Sequence, residues 1–202
     1  MGEKIPFFNF GANKNVRVIK TGEEYACVIL QGDDVKCWGK KMYGQLGNED
    51  GGVIDKEDGD HSGYTPTESK AVTLDGDATP IVKLGTGVTA SVLSCGGKHT
   101  CIISNEGKVK CWGDNDFRQC GNNRQGRDPG TMGNNLQNVL LLNPESVAIY
   151  VSAGFEHTCA ILISGQLYRS GRNNKGQLGA GNTLNQPQPN VLGYTKSLAW
   201  EC

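Results

Sequence analysis

The sequence predicts an all-β fold made of three copies of one structural unit. In each copy, ten residues separate two strand positions: 27 and 37, 101 and 111, and 159 and 169. A nine-residue spacing then leads to a Gly-rich turn, from 38 to 47, 112 to 121 and 170 to 179. The 29 glycines suit many tight turns, and no stretch shows the 3.6-residue period of a long helix. A spacing held three times indicates a structural repeat.

Each repeat opens with a short apolar strand that ends at a glycine. Residues 92–96 and 150–154 have this pattern, and the strand near residues 16–19 stands at the start of the first copy. Residues 198–202 resemble such an opening strand, with Cys202 in the place of Cys95. We therefore expect them to begin a fourth repeat.

A β-hairpin follows each opening strand. Residues 101–104 form an apolar run, residues 105–107 contain a turn glycine, and residues 108–112 alternate between polar and apolar. Strand, short Gly-bearing turn and strand are typical of a hairpin. Residues 32–34 and 163–165 occupy the turn in the other two copies.

The ordered motifs identify a family resemblance across roughly residues 16–202. The pattern G-x-x-H-T-C-x-I, then V-x-C-W-G, then G-Q-L-G, resembles the regulator of chromosome condensation repeat. This resemblance implies a β-propeller with one four-stranded blade per repeat. Tyr25 replaces the His, Arg118 and Cys120 interrupt the second G-Q-L-G, and Arg169-Ser170 replaces Cys-Trp. These changes affect individual contacts and leave the predicted fold unchanged.

The repeats divide the chain into an N-terminal segment, 1–15, and a partial propeller, 16–202. We expect blades at 16–90, 91–147 and 148–197, and the start of another at 198–202. Closed propellers have about four to eight blades, so three would leave unpaired flanks that need covering. We favour a piece of a larger propeller of about seven blades. An open arc completed by a partner is the alternative.

Two loops interrupt the repeat spacing and are the predicted partner-binding segments. Residues 48–67 are polar and acidic, with Asp55, Asp58, Asp60 and His61. Residues 122–135 form the second loop and carry Arg124 and Arg127. The acidic loop does not fit the calcium-loop pattern, because Gly59 falls one position early. Variable loops on a rigid scaffold commonly carry recognition, and we expect no metal.

Eight cysteines leave two interpretations open. If the hairpins centre on residues 32 and 106, Cys27 lies opposite Cys37 and Cys101 opposite Cys111, close enough for disulfides. Disulfides would place the chain in an oxidising lumenal or extracellular compartment. Buried free cysteines, in a soluble intracellular protein, are the alternative. A zinc site is disfavoured because no C-x-x-C pair occurs.

The predicted function is protein binding without catalysis, as a scaffold or accessory subunit of a larger assembly. A net charge of −1 gives no basic field for nucleic acid, and no apolar run is long enough to span a membrane. His99 and His157 recur at one repeat position, which indicates an architectural role. We therefore expect no cofactor and no small-molecule substrate. Guanine-nucleotide exchange on a small GTPase, which the resemblance also implies, is the alternative.

One further family activity is not expected. The resemblance includes a plant ultraviolet-B photoreceptor with Trp directly after the Gly of G-x-x-H. Here Glu23, Gly97 and Phe155 hold those positions. Without clustered tryptophans there, we do not predict light sensing.

Overall fold

The computed structural model describes residues 10–11, 14–47, 79–121, 130–141 and 143–184. These residues form nine β-strands and one turn of 3₁₀ helix, Gly133–Asn135. The strands are β1 (Val16–Thr21), β2 (Tyr25–Leu30), β3 (Val35–Gly39), β4 (Ala90–Cys95), β5 (His99–Ser104), β6 (Val109–Gly113), β7 (Ala148–Ala153), β8 (His157–Leu162) and β9 (Leu167–Gly171). The described part of 85–180 thus has no helix longer than one turn, and the predicted all-β fold is confirmed.

Three antiparallel sheets follow one another along the chain. Sheet one has the order β1-β2-β3, sheet two β4-β5-β6 and sheet three β7-β8-β9. Each opening strand has an irregularity in register at the same place, between residues 16 and 18, 90 and 92, and 148 and 150. The repeat in the sequence is therefore a repeat in strand register.

The hairpin turns depend on residues in the left-handed region. Gly107 has φ +72° and Gly165 has φ +79°, a conformation that glycine adopts without a Cβ clash. In sheet one Asp33 takes this conformation, with φ +66°. Asp and Asn tolerate it better than most other residues. The short Gly-bearing turns predicted from the sequence are present in all three sheets.

The fourth strand implied by the family resemblance is reduced to a single bridge in the described residues. Ile81 pairs with Lys36 of β3, and Asn138 pairs with Lys110 of β6. The backbone N–H of Gly133 bonds to the carbonyl oxygen of Lys83, so the outer segment of sheet one turns toward the second repeat. Pro80 also has no N–H to extend the pairing. The counterpart in the third repeat lies outside the described residues.

The core lies between successive sheets. One cluster joins Cys27 and Ile29 of sheet one to Leu93, Ile102 and Trp112 of sheet two. A second cluster joins sheet two to sheet three. Strand β4 packs against β1 and β2, and β7 packs against β4 and β5. In the described part of the chain, no helix is long and apolar enough to cross a bilayer.

Candidate interaction surfaces

The recurrent His position joins sheet one to sheet two and sheet two to sheet three. His99 Nε2 hydrogen-bonds to Thr158 Oγ1 of sheet three at 2.9 Å. Tyr25, at the same position in sheet one, donates its hydroxyl hydrogen to the carbonyl oxygen of His99. The predicted architectural role is therefore a contact between sheets.

The Gly-Gln-Leu-Gly turn is the second fixed contact between sheets. The carbonyl oxygen of Gln45 accepts hydrogen bonds from Thr100 Oγ1 at 2.9 Å and from Trp112 Nε1 at 3.0 Å. Gln119, at the same position in the next turn, accepts one from Ser170 Oγ at 3.3 Å. Ser170 stands in sheet three where Trp112 stands in sheet two, and its hydroxyl also donates a hydrogen bond to the turn. The first and second turns thus each hydrogen-bond to the sheet that follows them.

Burial sets the protonation of the groups in these contacts. Burial and, to a smaller extent, the nearby His157 together lower the pKa of His99 to about 4. Burial also raises the pKa of the Cys95 thiol to about 12. Both groups are neutral near pH 7, as packing between sheets requires. Among the residues that the structure describes, no group of three His, Cys, Asp or Glu side chains could hold a metal.

The four cysteines that the disulfide interpretation pairs lie opposite each other. Cys27 faces Cys37 in the register of β2 and β3, and Cys101 faces Cys111. Their sulfur atoms are 2.12 Å and 2.11 Å apart. Cys159 faces Arg169 instead. Formation of the bonds in the natural protein stays a prediction, tested below.

The six loop residues predicted to bind a partner lie outside the described residues: Asp55, Asp58, Asp60, His61, Arg124 and Arg127. The end of the second loop is described, and it packs inward. Met132 and Leu136 are buried in the cluster between sheets one and two. The N–H of Thr86 donates to Asn134 Oδ1 at 2.7 Å. The sequence interpretation missed this anchor, and its signal was two apolar residues: Met132 within the polar loop and Leu136 directly after it.

The N-terminal segment also takes part in the core, which the sequence interpretation did not anticipate. Phe10 is buried with Val28 and Leu30 of sheet one. Its ring lies 5.6 Å from that of Trp38, centroid to centroid. Residue 10, assigned to a separate segment, thus covers the side of sheet one that faces away from sheet two.

The side of sheet three that faces away from sheet two is open. We define the forward face of a sheet as the side toward the next repeat. The forward face of sheet three is named the open face. Its residues are Tyr150, Ser152, His157, Cys159, Ile161, Leu167 and Arg169. Ile161 is 39% exposed, whereas its counterpart Ile103 in sheet two is 3% exposed. Tyr150 and Leu167 are also exposed. No described residue covers this apolar surface.

Comparison with protein families and curated proteins gives relatives built from the same repeat. Residues 91–119 and 148–177 match the family model for the regulator of chromosome condensation (RCC1) repeat. The chain is 27% identical over 175 residues to the ultraviolet-B receptor UVR8 of Arabidopsis thaliana, covering 86% of this chain and 33% of that protein. It is 23% identical to the probable E3 ubiquitin-protein ligase HERC4 of Homo sapiens, covering 90% of this chain and 15% of that one. The chain thus spans a third or less of these relatives.

Solved structures share the fold. Yeast RCC1 (Prp20), in its complex with Kap60, aligns with a TM-score of 0.63 at 20% identity, over 90% of this chain and 37% of that one. Human WBSCR16 aligns with a TM-score of 0.57 at 20% identity, over 87% and 39%. The shared register of the three sheets, the fixed contacts between them and these matches lead to one conclusion. Two segments of the chain match the regulator of chromosome condensation (RCC1) repeat, and the chain shares the fold of β-propellers built from that repeat.

Proposed function

We propose that this chain is a non-catalytic protein-interaction module that serves as a scaffold or accessory subunit. The main support for this proposal is the hydrogen bonding of the recurrent polar side chains. Five of them hydrogen-bond to the neighbouring repeat: Tyr25, His99, Thr100, Trp112 and Ser170. The repeated residues therefore build the frame, and recognition falls to the residues that vary between repeats.

One end of the sheets, which we name the turn end, carries several residues that vary between the repeats. It contains the G-x-x-H loops, 22–24, 96–98 and 154–156, and the turns 40–47, 114–121 and 172–179. Lys98 Nζ lies 4.4 Å from the centroid of the Tyr43 ring, and the Arg172 guanidinium lies 4.8 Å from that of Phe117. Both predicted binding loops begin here, directly after Gly47 and Gly121.

The chemistry of the turn end suits a protein partner. Phe155 is 56% exposed beside Glu156, which is ion-paired with Arg172. Aromatic residues and arginine are enriched in protein interfaces relative to the rest of the surface. The relatives point the same way: yeast RCC1 (Prp20) was solved bound to Kap60, and another structure of Prp20p concerns its binding to Gsp1p and histones.

A photo-crosslinking amino acid at position 155 tests this proposal in cells that express the chain naturally. The matched control is position 163, which is 72% exposed at the opposite, hairpin end of sheet three. We expect one set of proteins to be crosslinked from 155 and not from 163. The triple variant Asp55→Asn, Asp58→Asn, Asp60→Asn should reduce that capture. Equal capture from both positions would contradict a binding surface at the turn end.

Nucleotide exchange is tested separately. Purified chain is added to small GTPases loaded with a fluorescent guanine nucleotide, and release of the nucleotide is followed. We expect no acceleration. An accelerated release would replace the scaffold assignment with the exchange-factor alternative.

A further inference from the structure

Two positions at the hairpin end of the sheets are exposed in all three repeats. The first is the second residue of each opening strand, 17, 91 and 149, and the second is the residue that directly follows the middle strand, 31, 105 and 163. Sheet three packs on sheet two, yet Ser91 and Asn105 remain exposed. A following repeat therefore does not bury these positions.

Repeats one and two have polar residues at both positions, and some of their side chains bond within the hairpin end. Arg17 is ion-paired with Asp33 of the first hairpin turn at 2.5 Å. Asn105 Oδ1 accepts a hydrogen bond from the backbone N–H of Thr89 at 3.2 Å. Polar residues of this kind are the usual occupants of positions that face water.

Repeat three has isoleucine at both positions. Ile149 is 55% exposed and Ile163 is 72% exposed. The backbone N–H of Ile163 donates to the carbonyl oxygen of Val147 at 2.9 Å, and Ile149 stands two residues farther along the chain. Such diagonal neighbours on adjacent strands lie about 7–8 Å apart, within reach of long side chains. Ile149 and Ile163 thus form an exposed apolar surface, which we name the hairpin-end patch.

Two glutamates border the hairpin-end patch. Glu145 precedes Val147 by two residues. Glu106 lies in the hairpin turn of sheet two, where a Cβ on the adjoining Gly107 would come within 2.5 Å of Val147 Cγ1. Both glutamates are exposed, and neither is ion-paired within the part of the chain that the structure describes. The neighbouring Lys108 donates instead to two backbone carbonyl oxygens. The border of the patch is therefore negatively charged.

We propose that the hairpin-end patch binds a short segment of another protein that carries apolar residues beside Lys or Arg. The isoleucines supply the apolar contact, and the bordering glutamates favour a basic partner. Two side chains offer far less than the about 800 Å² per partner of a standard interface, so the patch fits a short segment better than a folded domain. A second copy of the chain would also bring Glu106 and Glu145 against their own counterparts, and like charges oppose that contact.

Random peptides displayed on phage test the proposal. Selection uses the natural chain after depletion on the variant Ile149→Ser, Ile163→Asn, which has the residues of repeat two at both positions. We expect the selected peptides to carry apolar residues beside Lys or Arg, and to bind the natural chain about tenfold or more tightly than the variant. No enrichment over the variant, or selected peptides dominated by Asp and Glu, would overturn the proposal.

The glutamates provide a second variant that leaves the isoleucines in place. Glu106→Gln, Glu145→Gln should weaken binding of a selected peptide about threefold or more at low salt, and should remove most of its salt dependence. The matched control is Glu23→Gln, Asp116→Asn, which removes two exposed carboxylates at the turn end and should leave binding within about twofold. Equal losses in the two variants would show a general charge effect and overturn the assigned site.

Sedimentation velocity over a range of chain concentrations tests the second copy as the occupant. We expect the natural chain and Ile149→Ser, Ile163→Asn to have the same state of association. A dimer that this variant dissociates would overturn the proposal in favour of self-association. The proposal does not depend on the turn end: in the crosslinking experiment above, a partner at the hairpin-end patch would be captured from position 163 and not from position 155.

Discussion

The forward faces of sheets two and three have the same backbone register and different surroundings. On sheet two, His99, Cys101 and Ile103 are fully buried beneath sheet three. On sheet three, His157 and Cys159 are half-buried and Ile161 is exposed. The comparison shows that in a repeat protein the neighbour, more than the residue's own strand, determines burial.

The two forward faces also differ in the pKa of their histidines. The pKa of His99 is lowered to about 4, with burial as the main cause, whereas burial lowers that of His157 less. Thr158 accepts or donates a hydrogen bond at His99, but sheet three has no described following sheet to offer a Thr to His157. Histidine at this repeat position therefore has two environments. Substituting equivalent residues of the two sheets distinguishes the effects of these environments.

The largest expected difference comes from truncating the two isoleucines. Ile103→Ala removes buried side-chain volume between two sheets and should lower the free energy of unfolding by about 2–5 kcal/mol. Ile161→Ala removes a partly exposed side chain and should cost less than about 1 kcal/mol. Urea unfolding of both variants measures this. Equal losses would mean that the open face is as fully covered as the forward face of sheet two.

Local sequence patterns made most of the fold predictable, but contacts between repeats could not be predicted from the sequence. The ten-residue spacing and Gly107 were enough to predict that Cys101 lies opposite Cys111, because hairpin geometry is local. Burial of Met132 and Phe10 was missed, since both pack against a different part of the chain. The two predicted binding loops lie mostly outside the described residues, so their role stays a prediction.

The second comparison is between the two histidines as pH falls. In the folded chain His99 has a pKa of about 4, against an ordinary value of about 6.5 when unfolded. Between these values the unfolded chain binds the proton and the folded chain does not. The stability from neutral His99 is therefore complete above about pH 6.5 and is lost as pH falls toward 4, by about 3 kcal/mol.

Urea unfolding from pH 7 to 4 measures that loss. His99→Gln should flatten the dependence relative to the natural chain, and His157→Gln should leave most of it. The difference between variants removes the contribution of carboxyl groups. A dependence unchanged by His99→Gln would contradict the buried neutral histidine.

The third comparison concerns the cysteine pairs. In chain prepared under oxidising conditions, we expect Cys27–Cys37 and Cys101–Cys111 to be bonded, and alkylation before reduction to label neither pair. Reduction should lower stability by about 2–3 kcal/mol for each ten-residue loop opened. Arg169→Cys should create a third pair with Cys159, since the register there is the same. Labelling of all four predicted cysteines in oxidised chain would support the alternative of buried free thiols.

The smallest expected difference concerns the glycine that precedes each His position. A Cβ on Gly96 would lie 2.5 Å from the carbonyl oxygen of Gly154 in sheet three, and 2.3 Å from the His99 ring. A backbone oxygen held between two sheets has no room to move, so Gly96→Ala should cost about 1–3 kcal/mol. At Gly154 the nearest atoms, at 2.1–2.6 Å, all belong to the His157 ring, which borders the open face. That ring can rotate outward, and Gly154→Ala should therefore cost less than Gly96→Ala, by about 1 kcal/mol or more. Thermal unfolding of the two variants measures the difference. If Gly154→Ala were the more costly, His157 would have to be held as firmly as His99, and a covered third sheet would replace the open one.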